Sequence, residues 1–218
     1  MLMRSLILVA GLSCTTAFSH AADADAAPKW EAGTAWQPID PPQPTSTGSK
    51  IEVLEVFSYA CPHCAHFQPY AEALKAKLPK NAEFVLMPAD FQPRWVAFAR
   101  GFYVAKDLGL LDKTHQALFD AIYRDHRPLN SLDDIAGFYA GFGADKESFV
   151  STMQSFVIDG RIAKIREMEG KYGVDQTPTL IVNGKYRIVA NTDKGIGFDQ
   201  MVDIALYLVK QESTAKKH

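Results

Sequence analysis

Apolar positions along the chain change their spacing several times, and each change marks an element. Residues 50–59, KIEVLEVFSY, are β-branched and aromatic with no helical period, which predicts a buried strand. Residues 63–78 place Ala, Leu, Glu and Lys at helical spacing. Pro62 suits the first turn of that helix, where its missing N–H is no loss, while Pro69 falls inside and is expected to kink it. Residues 81–87, NAEFVLM, predict a second strand. Five amphipathic helices then follow at 94–108, 112–123, 131–142, 145–156 and 160–172, with Ser131 and Asp145 placed to cap and Gly109, Gly143 and Gly173 placed to stop. Two short runs, 179–182 and 185–189, flank Asn183-Gly184, a strong hairpin signal. A last amphipathic helix covers about 198–209.

The order is strand, helix, strand, helical block, hairpin, helix. An early βαβ-like unit and a late ββα unit parted by helices predict an α/β sandwich whose inserted helices form a second lobe. Ahead of the first strand, residues 22–49 are rich in Ala, Pro, Ser and Thr, include PPQP at 41–44, and read as an extended arm that wraps or trails. No internal repeat is present.

The N-terminus adds a compartment. Residues 1–4 carry one positive charge, residues 5–17 are mostly apolar, and Ser19-His20-Ala21 supplies small residues at the expected cleavage positions, so 1–21 reads as a secretory signal peptide. Cys14 raises a lipoprotein reading, but Gly11-Leu12-Ser13 lacks an aliphatic residue three positions upstream, and Cys14 reads as part of the leader. The mature protein is then exported with Cys61 and Cys64 as its two cysteines. At 218 residues, 47% of them hydrophobic, the chain suits one medium-sized domain with an insertion, and a formal net charge of −2 gives no basic field for nucleic acid or ionic membrane binding.

The chemistry concentrates in residues 59–67, YACPHCAHF, with two cysteines and two histidines in six positions. A purely structural disulfide is a weak staple at this spacing, because so short a loop removes little unfolded-state entropy. A zinc or copper site would use Cys61, Cys64 and either His63 or His66, but the second ligand pair usual in closed sites is missing, and His115 and His126 lie far away as surface or satisfied residues. A redox-active dithiol fits best, since a thiolate at Cys61 faces the free N–H groups and positive dipole end of the following helix. That dipole gives at most about 2 kcal/mol, whereas lowering a cysteine pKa by ~3 units needs about 4 kcal/mol. His63, between the cysteines, is the candidate for the remainder. Favouring the reduced form by about 4 kcal/mol raises a two-electron potential by roughly 85 mV and makes the disulfide an oxidant.

FSYACPHCAHF at 57–67 resembles the active site of the DsbA-type thiol:disulfide interchange proteins of bacterial envelopes, within the thioredoxin superfamily. GVDQTPTLIVNGKY at 173–186 resembles that family's second signature, and the resemblance spans roughly 50–209. It implies a thioredoxin-like fold, 50–92 and 173–212, interrupted by a helical domain at 93–172. It further implies that Cys61 is the exposed cysteine that forms the mixed disulfide and Cys64 the buried one that leaves and returns, with Pro62 and His63 completing the motif. Pro178 corresponds to the cis-proline beside the pair and Thr177 to the residue whose backbone binds a substrate strand; the best-known pattern has valine there. Glu55 matches a buried acid that relays a proton to Cys64. Tyr59, Phe67, Phe91 and Trp95 are candidates to line a peptide groove. The implied function is a periplasmic, monomeric oxidoreductase without cofactor that donates its disulfide to newly exported proteins and is reoxidised by a DsbB-type, quinone-linked membrane partner. A disulfide reductase or isomerase, and a metal-binding chaperone using Cys61, Cys64 and a histidine, are the alternatives; isomerases of this fold usually add a dimerisation domain, for which the stretch before the first strand leaves no room.

Overall fold

The computed structural model describes residues 30–215; the leader and Cys14 lie outside them. The elements run β1 (Gln37–Pro38), β2 (Ile51–Phe57), α1 (Pro62–Lys77), β3 (Ala82–Pro88), α2 (Pro93–Asp107), α3 (Leu111–Tyr123), α4 (Leu132–Ala140), α5 (Lys146–Met153), α6 (Phe156–Tyr172), β4 (Thr179–Val182), β5 (Tyr186–Val189) and α7 (Phe198–Ala215). One sheet holds all five strands in the order β1-β5-β4-β2-β3. β2 pairs parallel with β3, as the βαβ reading requires, and antiparallel with β4, so the two halves meet along β2.

Every residue of β2 is buried, which is why its sequence is nearly continuous in apolar residues rather than alternating. Its two faces serve different layers. Ile51 and Val53 pack with Phe67, Ala71 and Leu74 of α1 and with Ile204 and Leu208 of α7. Leu54 and Val56 join the other cluster, with Phe98 and Phe102 of α2 and Ile165 of α6. Side chains alternate along a strand, so Glu55 shares the parity of Ile51 and Val53 and lies under α1.

Helix ends follow capping chemistry. Ser131 and Asp134 form a reciprocal capping box at α4, and Asp145 accepts from Ser148 N–H at 2.9 Å to start α5. The helix expected from 160 begins earlier, at Phe156, because Ser155 caps it by accepting from Ile158 N–H. The arm also departs from expectation: Gln37 and Pro38 pair antiparallel with Arg187 and Tyr186 as an edge strand, and Ala35 and Ile39 are buried. That strand could not be read from two residues, one of them a proline.

The hairpin turn fixes the arm. Asn183 and Gly184 both take positive φ, 51° and 66°, as a tight primed turn demands. Gly184 also accepts from Gln43 N–H at 2.9 Å, and a Cβ at Gly184 would overlap the Gln43 carbonyl. Gly184→Ala is therefore expected to destabilise the protein by at least about 1 kcal/mol and to loosen residues 37–43; a denaturation midpoint equal to that of the native chain would contradict this packing.

Candidate active site

Cys61 is the N-cap of α1, in extended backbone with φ −99° and ψ 114°, and Pro62 takes the first helical position. The turn delivering it is local. Beyond β2 the Ser58 carbonyl accepts from Cys61 N–H at 3.0 Å, and the Ser58 hydroxyl accepts from Ala60 N–H at 3.1 Å. The Cys61 carbonyl then receives the N–H groups of Cys64 and Ala65, closing the first helical turn. Both cysteines are free thiols.

The second half of the site comes from the other signature. Thr177–Pro178 is a cis peptide, and the Cys61 thiol donates to the Thr177 carbonyl at 3.5 Å, across 116 residues of sequence. The Thr177 hydroxyl is buried without another hydrogen-bond partner among the described residues and acts on both sulfurs.

The two thiols differ sharply. Cys61 is lowered from 9.0 to about 5, chiefly because Cys64 donates its S–H to it; burial opposes this, and the Thr177 hydroxyl and the backbone N–H groups of Cys64 and His63 add to it. Burial pushes Cys64 well above the ordinary thiol range, and its hydrogen bond to Cys61 pushes the same way. The cause assigned to His63 is thus its backbone amide, at the helix start; its side chain is exposed. Cys61 is not an exposed residue, being 5% accessible against 0% for Cys64. A substrate reaches it only by docking closely.

Glu55 lies beneath the pair, wholly buried, with neither carboxyl oxygen hydrogen-bonded among the described residues. Burial first, then the charges of Glu72 and Cys61, raise it from 4.5 to about 8, so it holds a proton at neutral pH. It borders a cavity of about 560 Å³, shared with Gln68, Glu72, Lys75 and His115.

The aromatic candidates separate. Tyr59 and Phe67 are fully buried and belong to the core rather than to a groove. The Tyr59 hydroxyl meets His115 Nδ1 at 2.8 Å, so His115 is a satisfied, half-buried residue, pushed down to about 4 chiefly by desolvation of its ring. Phe91 is 38% exposed and stacks on Trp95 at 5.2 Å. Sequence reasoning missed Ile196 and Phe198, which with His63, Thr177 and Pro178 line an apolar cavity of about 380 Å³ beside the redox pair. Their only signal is an apolar pair following the hairpin, too short to register. His66 is exposed and outside this arrangement. Among the described residues no three His, Cys, Asp or Glu side chains gather in a group that could hold a metal ion.

Because the Cys64 S–H is the leading cause of the low Cys61 pKa, Cys64→Ala is expected to raise it by about 1–2 units, and Cys64→Ser, which keeps a donor, by less. His63→Ala retains its amide and is expected to move it least. Ultraviolet thiolate absorbance against pH checks the order; a larger shift for His63→Ala than for Cys64→Ala would assign the thiolate to the imidazole instead.

Known proteins match this arrangement along the whole chain. The thioredoxin family model matches residues 46–202. The thiol:disulfide interchange protein DsbA of Pseudomonas aeruginosa is 38% identical over 215 residues, covering 99% of this chain and 100% of the relative, and that of Pseudomonas syringae pv. tomato is 36% identical over 215 residues, covering 99% of each. The crystal structure of Pseudomonas aeruginosa DsbA superimposes with a TM-score of 0.78 at 36% identity, covering 87% of this chain and 97% of that one; the Xylella fastidiosa oxidoreductase DsbA gives 0.76 at 35%, covering 83% and 96%. With the dithiol at the helix start and the proline beside it, the chain belongs to the DsbA family of thiol:disulfide interchange proteins, disulfide oxidoreductases built on the thioredoxin fold.

Proposed function

We propose that this protein is exported to the periplasm and oxidises newly translocated proteins through its Cys61–Cys64 disulfide. The observation that carries this reading is the opposed pKa of the two sulfurs, low at Cys61 and high at Cys64. In the oxidised protein a substrate thiolate attacks Cys61 Sγ, the Cys61–Cys64 bond breaks, and Cys64 leaves as a thiolate that takes a proton. A second substrate thiolate then attacks the substrate sulfur of the mixed disulfide and expels Cys61. The substrate has lost two electrons, and the protein ends with a thiolate at Cys61 and a thiol at Cys64. A low-pKa leaving group speeds the last step, and the same preference for the reduced state makes the disulfide oxidising.

Glu55 supplies the proton that Cys64 takes. Its acidity, about 8, lies between the operating pH and the far weaker acidity of Cys64, so transfer toward the departing sulfur is downhill. Thr177 and Pro178 receive the substrate strand, with the apolar cavity beside His63 and Phe198 taking a side chain. The helical insertion at 93–172 shares a core with β2 through Phe98, Phe102 and Ile165, and reoxidation falls to a DsbB-type membrane partner that passes the electrons to quinone.

The potential tests the direction of flow. Equilibration with glutathione is expected to give a value above about −200 mV, and one near the thioredoxin range of about −270 mV would overturn the donor reading in favour of a reductase.

Glu55 makes a separate prediction. A carboxyl raised from 4.5 to about 8 on folding contributes stability that is fully present below pH 4.5 and lost as pH rises through 8. Glu55→Gln abolishes that loss, so its stability advantage over the native chain is expected to grow between those limits while disulfide transfer to a peptide slows. Parallel stability curves, or unchanged transfer, would remove Glu55 from the mechanism.

A further inference from the structure

Glu55 ends the proposed transfer step as an isolated charge. Once its proton passes to Cys64 it is a carboxylate with no accessible surface and no hydrogen-bond partner among the described residues. Burial, the Glu72 charge and then the Cys61 charge all disfavour that state, and a buried ion of this kind is costly unless a counter-ion meets it. The sheet offers none, because Glu55 stands in register between Leu86 of β3 and Leu180 of β4.

The α1 side differs. The cavity of about 560 Å³ that Glu55 borders lies between α1, α3 and the sheet. Gln68, Glu72 and Lys75 follow one another at helical spacing along the α1 wall. They lead from Gln68, which donates to the Cys64 carbonyl at 3.3 Å, out to the exposed Glu72 and Lys75. The charged and titratable groups lining the cavity are Glu55 from β2, Glu72 and Lys75 from α1, and Asp112 and His115 from α3. His115, held down at about 4 by desolvation and then by the Lys75 charge, is neutral at the operating pH. Among the described residues lining the cavity, Lys75 is therefore the one cation, against three carboxyl groups.

Lys75 is only loosely held where it stands. Its ammonium lies 3.8 Å from Glu72 Oε1, with the two side chains 56% and 66% exposed, and an exposed pair of that length restrains it little. While Glu55 keeps its proton, the Glu55 carboxyl carries no charge to draw Lys75 inward. Ionisation reverses the balance, since a carboxylate in a low-dielectric pocket attracts an ammonium more strongly than one in water does. We propose that Lys75 is the mobile counter-ion of the redox site: it leaves Glu72 and turns into the cavity when Glu55 gives up its proton, and it swings back when a proton returns to Glu55. This rests on the reading of Glu55 as proton donor to Cys64. Lys75 keeps its own protons throughout and acts as a positioning residue, stabilising the charge that the transfer leaves behind.

The carboxyl carbon of Glu55, assigned as the glutamate resonance lost in Glu55→Gln, reads this directly when followed by NMR against pH in the full chain with the thiols kept reduced. The native midpoint is expected near 8. Lys75→Met is expected to raise it by about one pH unit or more, a tenfold weaker acid, whereas Lys75→Arg keeps a cation and stays near the native value. Lys77→Met, on the same helix but outside the cavity lining, is the control for a merely distant charge and is expected to move the midpoint far less. Both lysines are exposed, so neither variant endangers folding. Glu72→Gln is expected to lower the midpoint more in the native background than beside Lys75→Met, because only there does it free an ammonium. An unmoved midpoint in Lys75→Met, one moved no further than in Lys77→Met, or equal falls for Glu72→Gln in the two backgrounds overturns the mobile counter-ion and leaves Glu55 as the donor. A native midpoint at the ordinary 4.5 overturns the donor reading and the counter-ion together.

Discussion

The site depends on one hydrogen bond, from the thiol of Cys64 to the sulfur of Cys61. A helix dipole gives at most about 2 kcal/mol, little more than one pH unit, far short of the fall from 9.0 to about 5. The dipole is also a poor discriminator, since both sulfurs sit in the same first turn. The thiol donor separates them: whichever sulfur keeps the proton is raised and the other lowered. Burial decides which, because Cys64 has no accessible surface and cannot carry a charge that Cys61, at the rim, can share with Thr177 and the helix amides.

That asymmetry asks for a scaffold that brings three distant pieces to the end of one strand. β2 carries the chain into Ser58 and the Cys61 turn, β4 pairs along β2 and so sets Thr177 and Pro178 against the sulfurs, and β3 closes the other side. The strand that does this also buries Glu55 on the α1 face among Ile51 and Val53. Leaving a buried carboxyl unpaired costs about 1–3 kcal/mol, a destabilisation the fold carries at the redox centre and offsets through the apolar residues of the same strand.

The parts of this design that are local in sequence were legible. Cys61, Pro62 and Cys64 form one helix start, and Asn183-Gly184 fixes a hairpin, because both follow from backbone chemistry within a few residues. Strand β2 was legible as buried from its unbroken apolar run, yet the placement of Glu55 under α1 needs the parity of the strand against two layers. What stayed hidden is pairwise and distant. Gln37–Pro38 becomes a strand only through Arg187 and Tyr186; Tyr59 turns inward because His115 meets its hydroxyl; and nothing near Asp90 points to Glu169, whose Oε1 accepts its backbone N–H. His63 lowers Cys61 through its backbone amide at the helix start, a contribution that residue identity does not encode.

Two of the buried acids flank one strand pair, Glu55 opposite Leu86 in the β2–β3 register and Asp90 just beyond the end of β3. They are nonetheless insulated from each other. Ala89 N–H donates to the Phe57 carbonyl at 2.7 Å, extending the ladder one step past Pro88, and Phe57 is wholly buried against Tyr59 and Phe102.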